Sequence, residues 1–382
     1  MNLNHINVIA RYEVKLVKRS WLFRIFAILA LLFISAIMLG YQTGIVNRMD
    51  NLWPRIAVSS LMPFCNTYFY NIAQSVIVVF LAGSFLKRDK KLDTAEVIYV
   101  RPMSNADYIV GKTWGIVKVF ITLNIITLLF TAFLNILINK SPFDLFPYLF
   151  YLLTISVPSL LFVLGLSFTA MCILKNQAVT FIVMLGIIGT VFFYLTDTLY
   201  GVFDFFGVNI PAIFSDVTGH ADLRLFLLQR FSYLLAGIGL ISMTIALVKR
   251  LPHKPWKIAV VYTFSSLFLL AACLGGLLYI LHYNHQLDLR NQYIMTFDKY
   301  ADVPHVDLLV NDISVTPQGH RLAGKSTVKV ANNNAKPLDK IIFYLNPELT
   351  VTSVEMAGKN LPFRRDHQVI EVDQPIQQQE EL

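Results

Sequence analysis

The sequence predicts an α-helical polytopic membrane protein with about seven transmembrane helices, followed by a C-terminal extracytoplasmic all-β module. Three observations support this fold class. Of the 382 residues, 55% are hydrophobic and only 15% are charged, and the mean hydropathy of +0.57 is too high for a water-soluble globule. Seven separate stretches are long and apolar enough to cross a bilayer. After Tyr283 the long apolar runs give way to short alternating segments, which are typical of β-strands.

Residues 1–20 predict a cytoplasmic amphipathic helix that lies in the membrane interface. Ile6, Ile9, Leu16 and Val17 recur at roughly helical spacing, with basic residues between them. An ordinary basic flank of the first span explains the same pattern equally well. The apolar run that follows has no small-residue cleavage pattern after it, so we expect it to remain as an anchor.

The membrane spans follow from length, because a bilayer core of ~30 Å requires about 20 apolar residues in a helix. The predicted spans are 22–40, 64–86, 113–138, 148–174, 179–195, 231–248 and 258–281. The second is the least regular, since Asn66, Asn71 and Gln74 make its first turns polar and indicate a short entry helix or a late start. The segment 197–225 is too short of continuous apolar length to span twice, so we expect a re-entrant or surface hairpin on the outer side.

The distribution of charge predicts the orientation. Residues 1–281 contain 22 Lys and Arg against 11 Asp and Glu, whereas residues 282–382 contain 10 against 13. The basic residues concentrate before the first span, between the second and third, and after the fourth and sixth. By the positive-inside rule the N-terminus is cytoplasmic, and an odd number of spans puts the C-terminal module outside. Basic residues in these positions bind membrane lipid headgroups, so we predict no nucleic-acid partner.

The predicted span cores are nearly free of ionisable residues. Apart from Arg24 in the first turn of the first span, they contain no Asp, Glu, His or Arg, and the only Lys is Lys118. Carriers driven by ions or protons usually place such groups at mid-membrane. The pattern therefore argues against an ion-driven transporter or a proton pump, and it indicates that any transport draws its energy from a separate soluble motor.

The cytoplasmic stretch 87–112 predicts two helix starts. Asp93 with Glu96, and Ser104 with Asp107, are spaced as capping boxes, and an Arg-Pro pair separates them. We expect a short helix, a kink and then a helix that runs into the third span. Such a piece could press on another protein. A simple charged loop with two incidental caps explains the pattern equally well.

This stretch resembles the coupling helix of ABC-2 type permeases, which are membrane subunits of ATP-binding-cassette transporters. The likeness depends on a short helix with a Glu, then Arg-Pro and Ser, then Tyr-x-x-Gly-Lys entering the third span, and it covers about residues 1–250. It implies a six-helix permease domain at 21–250, from which the additional span at 251–282 departs. By this resemblance the residues that couple to the ATPase are Glu96, Arg101, Pro102, Ser104, Tyr108, Gly111 and Lys112.

The resemblance also implies function, partners and location. The chain would be the permease subunit of an ATP-driven transporter, an exporter by its resemblance, in a bacterial inner membrane. It would bind a separate cytoplasmic ABC ATP-binding subunit and a second permease copy, in a homodimer or a heterodimer. The chain itself would need no cofactor and would catalyse no reaction. The substrate is not indicated.

Residues 283–382 resemble the start of the N-terminal β domain of M1-family zinc aminopeptidases, and fusions of an ABC-2 permease to such a domain look similar to the whole arrangement. That family needs His-Glu-x-x-His to bind zinc, and this sequence contains no His-Glu pair. We therefore predict no zinc site, and a truncated fusion or a substrate-facing β module. The alternative function is a membrane-anchored peptidase-like remnant or peptide-binding module without catalysis, and a pure scaffold is a third.

The β module is predicted to contain strands at 305–315, 326–330, 340–345, 349–355 and 368–372, with a frayed polar end at 377–382. One segment matches a phosphate-binding pattern, Gly-x-x-x-x-Gly-Lys-Ser, from Gly319 to Ser326. A nucleotide site requires a helix directly after the Lys, whereas a strand sequence follows Lys325. We therefore expect a hairpin turn here.

Overall fold

The computed structural model describes residues 2–43, 58–83, 103–138, 142–213, 215–216, 219–220, 222–248, 255–318 and 321–382. The chain divides into two compact units, Met1–Leu281 and His282–Leu382. The first unit is helical. The second contains the end of the last helix and a small β region.

The described part of the first unit is mainly helical. The α-helices are α1 Leu3–Arg19, α2 Trp21–Thr43, α3 Leu61–Gly83, α4 Asn105–Ile138, α5 Leu145–Tyr151, α6 Val157–Leu174, α7 Gln177–Thr190, α8 Leu223–Leu247 and α9 Pro255–Tyr300. A π-helical turn, Leu152–Ser156, joins α5 to α6, and another, Val191–Leu195, follows α7. A short 3-10 helix occupies Thr198–Gly201.

Seven helical stretches in the described ranges are long and apolar enough to cross a membrane, as predicted, and this is consistent with a multi-pass membrane protein. The predicted bounds differ most at the last two. The sixth stretch begins at Leu223, two turns before the predicted start, because its polar Gln229 and Arg230 are buried inside the helix bundle. The seventh continues to Tyr300 through polar residues that give no hydropathy signal.

Helices α6 and α8 pack with their backbones in close contact. A Cβ atom added to Gly237 would lie 2.7 Å from the backbone of Leu161 and Phe162, and one added to Gly165 would lie 2.8 Å from the Gly237 carbonyl oxygen. Farther along, the Thr169 hydroxyl donates to the Leu240 carbonyl at 3.0 Å. Small residues commonly allow such approaches between membrane helices, where packing rather than the hydrophobic effect holds helices together.

The described residues of the second unit form three small antiparallel sheets. Its strands are β1 Asp307–Gln318, β2 Arg321–Ala331, β3 Ile341–Tyr344, β4 Glu355–Met356, β5 Lys359–Asn360, β6 Phe363–Asp366 and β7 Val369–Val372. Strands β1 and β2 form a long two-stranded ribbon, β3, β7 and β6 form a sheet in that order, and β4 pairs with β5. One buried cluster of the unit consists of Val330, Ile341, Ile370, Val372 and Ile376, and a smaller one consists of Tyr300, Ile342 and Val369.

Two predictions for this unit are wrong. The predicted strand at 349–355 has no hydrogen-bonded partner strand before Glu355, whereas the polar strand β6 was missed because its charged residues hide the alternation. The polar end was predicted to fray, yet Leu382 exchanges two backbone hydrogen bonds of 2.9 Å with Val330. The strand expected after Lys325 is confirmed, because β2 contains that residue.

Ion pairs beside the β3–β7–β6 sheet give this unit a predicted pH dependence. Glu371 accepts hydrogen bonds from the Tyr300 hydroxyl and, at 3.0 Å, from the Lys340 ammonium, and both contacts lower the pKa of Glu371. Lys299 lowers the pKa of Asp366 in the same way. A carboxylate with a lowered pKa stabilises the fold above its ordinary pKa, and this contribution is lost as the pH falls through its folded value.

We therefore expect the sheet to lose stability as the pH falls below the ordinary Glu value of 4.5. Hydrogen-exchange protection of residues 341–372, corrected for the intrinsic rate at each pH, measures this. The Glu371→Gln variant should be less protected at neutral pH and should lose less protection on acidification. Parallel pH profiles for the wild type and the variant would contradict the prediction.

Candidate functional site

Three of the residues predicted to couple to an ATPase, Glu96, Arg101 and Pro102, lie outside the described residues. The other four lie at the start of α4. The Asp107 N–H donates to the Ser104 hydroxyl at 3.1 Å, and the Ser104 N–H donates to the Asp107 carboxylate at 3.2 Å. This reciprocal pair is the capping box predicted from the sequence, and it begins the helix that runs into the third span.

The predicted N-terminal helix is present as α1, and it packs against the start of α4. Its buried positions, Ile6, Ala10, Glu13 and Val17, are spaced by four, three and four residues, so they form one face of the helix. The Asn2 N–H donates to the Asp107 carboxylate at 2.9 Å, which fixes the start of α1 to the first turn of α4.

Two glycines of α4 allow α1 to approach. A Cβ atom added to Gly111 would lie 2.8 Å from Cβ of Ile9, and one added to Gly115 would lie 2.7 Å from Cβ of Glu13 and 2.9 Å from the Ala10 carbonyl oxygen. These positions are tighter than ordinary Cβ contacts, so a side chain larger than hydrogen would push the helices apart. Gly111 therefore shapes the contact between α1 and α4.

An ion pair lies inside the same contact. The Lys112 ammonium is 3.7 Å from the Glu13 carboxylate, and each side chain is only 5% exposed. The ammonium also lies 5.1 Å from the centre of the Tyr108 ring, which is itself buried. Gly111 and Lys112 thus contact α1, and Tyr108 lies beside Lys112. The coupling function of these residues remains a prediction.

A second polar site was not predicted as such: it surrounds the segment 197–213, which follows the second π-helical turn. The backbone turns sharply here, since φ is positive at Leu199, Tyr200, Gly201 and Gly207. Asp204, Phe205 and Phe206 are buried in the helix bundle, so the segment enters the bundle rather than lying over it. We call residues 197–213 the inner loop, because they lie inside the helix bundle and not because of a side of the membrane.

Side chains from the surrounding helices bind the backbone carbonyls of the inner loop. On one side the Tyr279 hydroxyl donates to Tyr200 at 2.9 Å, and the Tyr233 hydroxyl donates to Val202 at 2.7 Å. Gln229 donates to the carbonyls of Gly201 and Asp204. Buried carbonyls without partners are costly, and these donors remove that cost.

Further donors reach the inner loop from α3, α5 and α6. The Ser159 hydroxyl donates to the Phe205 carbonyl at 2.6 Å, and the Asn71 amide donates to the Phe206 carbonyl at 2.7 Å. The Tyr151 hydroxyl donates to the Ala212 carbonyl at 2.7 Å. Together with the contacts from α8 and α9, these bonds satisfy seven carbonyls of the inner loop.

Arg230 of α8 is a second deeply buried charged residue at this site, beside Asp204. Its side chain is 1% exposed, and its guanidinium donates to the carbonyls of Asp204 and Phe205 and, at 2.5 Å, to the Gln229 side chain. The guanidinium also lies 5.3 Å from the centre of the Tyr233 ring. A cation in a bundle is costly unless its donors are satisfied, and here all three nitrogen atoms donate.

The Asp204 side chain holds the turn of the loop. Its carboxylate accepts the N–H groups of Gly207 at 3.0 Å, Val208 at 2.6 Å and Asn209 at 2.7 Å. Gly207 has φ of 75°, and a Cβ atom there would lie 2.6 Å from the Arg230 guanidinium, so glycine is required at this position. Asp204 thus stabilises the turn from within the loop, and Arg230 stabilises it from the neighbouring helix α8.

The sequence contained partial signals for this site. Asn71 and Gln74 were taken to delay the start of the second span, but α3 begins at Leu61 and both residues are buried within it. Arg230 was left out of the predicted spans because it lies one residue before the predicted start of the sixth. A span that begins at Leu223, as the helix does, includes Arg230. No local pattern points to its contact with residues 204–205.

The arrangement immobilises an irregular backbone segment among helices. Asn71 lies halfway along α3, about 15 Å from its first residue, so the loop reaches deep into the bundle. At membrane depth such a backbone is stable only when it is buried in protein with its polar groups satisfied.

The chain matches no protein-family model, and no curated protein matches it.

Proposed function

We propose that this chain is the membrane-spanning permease subunit of an ATP-driven ABC-2 type transporter, coupled to a separate cytoplasmic ATPase. The observation that best supports this is the contact between α1 and α4. The predicted coupling segment leads directly into Ser104, and the capping box, the Asn2 contact and the Lys112–Glu13 pair join that point to α1. A partner that pushes on residues 93–102 would therefore move α1 and α4 together.

The proposed energy source is external to this chain. Arg230 lies in a candidate membrane span, but its nitrogen atoms are occupied by donation to the inner loop. A group that relays protons or binds a transported ion must exchange its partners during the cycle. A structural role for Arg230 is the simpler explanation, and ATP hydrolysis by a partner would drive transport.

The proposed orientation follows from the basic loops. The N-terminus and the coupling segment face the cytoplasm of a bacterial cell, and the inner loop and the β region belong to the outer side of its inner membrane. In this orientation the inner loop would close the outer end of the permease, opposite the ATPase. A second permease copy, identical or related, would complete the transporter, and we propose export as its direction.

The proposal is tested by affinity purification of the detergent-solubilised chain from its native membranes. We expect a nucleotide-binding ATPase to co-purify with the wild type and to be lost with the Glu96→Ala, Arg101→Ala double variant. The Lys249→Ala, Arg250→Ala variant removes two charges from another predicted cytoplasmic loop and should keep the ATPase. Melting temperatures of all three proteins identify any loss caused by misfolding.

Two outcomes would contradict the proposal. Absence of an ATPase from the wild-type preparation would remove the basis for a coupled permease. Equal recovery of the ATPase with the wild type and the double variant would show that residues 93–102 are not the coupling site. In the first case the β region becomes the place to look for function, as a tethered binding module.

A further inference from the structure

The β1–β2 ribbon has a strand edge that continues beyond its existing partner. Residues 322–329 of β2 are exposed, and among the described residues β2 pairs with the strand β1 and, through a single bridge at Ala331, with Glu381. An isolated two-stranded ribbon is only marginally stable in water. The open edge presents unpaired backbone groups, which are a template for another strand.

The chain already shows which kind of strand this edge accepts. Val330 exchanges backbone hydrogen bonds with Leu382, and Asn332 does so with residues 379–380, so an antiparallel segment begins to pair at this end of β2. Its side chains are matched too, because the Lys329 ammonium contacts the Glu381 carboxylate at 2.7 Å. The same edge extends toward residue 322 without a partner among the described residues.

The two faces of the ribbon differ in chemistry. The register pairs Ser314 with Lys325 and Asp312 with Thr327, so this face is basic on β2 and acidic on β1. The opposite face is apolar and exposed. It presents Ile313 at 61%, Val315 at 53%, Leu322 at 73% and Val328 at 36% exposure.

We propose that the β2 edge, residues 322–329, binds an extended segment of a partner protein in which apolar and acidic side chains alternate. The backbone of that segment would add a third antiparallel strand. Its acidic residues would lie beside Lys325 and Lys329, and its apolar residues would extend the face of Leu322 and Val328. Asp312 on β1 repels the same segment from the opposite edge of the ribbon. This site does not depend on coupling to an ATPase.

Strand alternation identifies the backbone groups that would bind. Because the N–H and C=O of Val330 point to Leu382, those of Val328 and Ser326 face the same edge. In a peptide Val-Glu-Val-Thr-Val-Glu-Val placed opposite residues 322–328, the valine amides then face β2. The glutamate carboxylates lie opposite Ala323 and Thr327, diagonal to Lys325.

The test measures binding of this peptide, labelled with fluorescein, to the full chain in detergent by fluorescence anisotropy. We expect saturable binding that is lost when the valine amides are N-methylated and kept when the glutamate and threonine amides are N-methylated. Lys325→Glu should weaken binding about fivefold, because opposed charges across a strand pair become like charges. The Lys359→Glu variant, changed at an exposed residue of β5, should bind the acidic peptide as tightly as the wild type does. A Val-Lys-Val-Thr-Val-Lys-Val peptide should bind the Lys325→Glu variant more tightly than the wild type.

Three results would overturn the proposal. The first is no binding of the acidic peptide up to ~1 mM. The second is equal binding of the two N-methylated peptides, which would exclude strand pairing. The third is self-association of the chain through residues 322–329 that excludes the peptide, seen by mass photometry, which would assign the edge to a second copy.

Discussion

Replacing Arg230 with alanine is expected to destabilise the helical unit by about 3 kcal/mol or more. The substitution removes donors from the Asp204 and Phe205 carbonyls and leaves the buried Asp204 carboxylate without a nearby cation. The melting temperature in detergent, followed by tryptophan fluorescence, measures this loss. We expect the variant to unfold many degrees below the wild type.

Arg224 provides a matched control on the same helix. Its side chain is exposed in the first turn of α8, so Arg224→Ala should change stability by less than about 0.5 kcal/mol. A double-mutant cycle with Asp204→Asn then measures how much of the Arg230 effect comes from the carboxylate. Equal melting temperatures for Arg224→Ala and Arg230→Ala would refute the structural role of Arg230.

The second large effect is expected at Gly237, where α8 touches α6. Gly237→Ala places a methyl group 2.7 Å from the backbone of α6, which cannot yield as a flexible side chain can. Overpacking of this kind typically costs about 1–3 kcal/mol. It should exceed the gain of up to about 1 kcal/mol that alanine brings as a better helix former.

The same substitution at Gly186 should have the opposite sign. Gly186 lies inside α7, and a Cβ atom there would have no neighbour within 4 Å. Gly186→Ala should therefore stabilise the monomeric chain in detergent, because only the helix propensity changes. Thermal unfolding of both variants is the measurement. Shifts of the same sign would mean that the contact between α6 and α8 is not as close as described.

The sequence predicted the parts of the fold that depend on local patterns. Seven apolar stretches became helices because length and hydropathy act within each stretch. The capping box at Ser104 formed because its two partners are three residues apart. The strand after Lys325 likewise followed from the β-branched residues around it.

The errors concern contacts between distant residues. Arg230 contacts carbonyls about 25 positions away, and Asn71 reaches one 135 positions away, so neither partner marks the other. A polar residue in an apolar run therefore appeared to be the end of a helix. Glu13 was missed for the same reason, since its partner Lys112 lies in another helix. The prediction of a strand at 349–355 was wrong because side chains that suit a β-strand do not by themselves provide a neighbouring strand to pair with.

The way the inner loop is held affects which sequence changes this protein can accept during evolution. The loop is held by its carbonyl groups, which every residue type possesses, whereas the groups that bind them are particular side chains on five helices. Apart from Asp204, the glycines and buried side chains such as Phe205 and Phe206, the loop should tolerate substitution. The backbone path of the loop is determined largely by side chains outside it, such as Asn71, Ser159 and Arg230. A related chain whose loop differs in sequence can therefore still follow the same path.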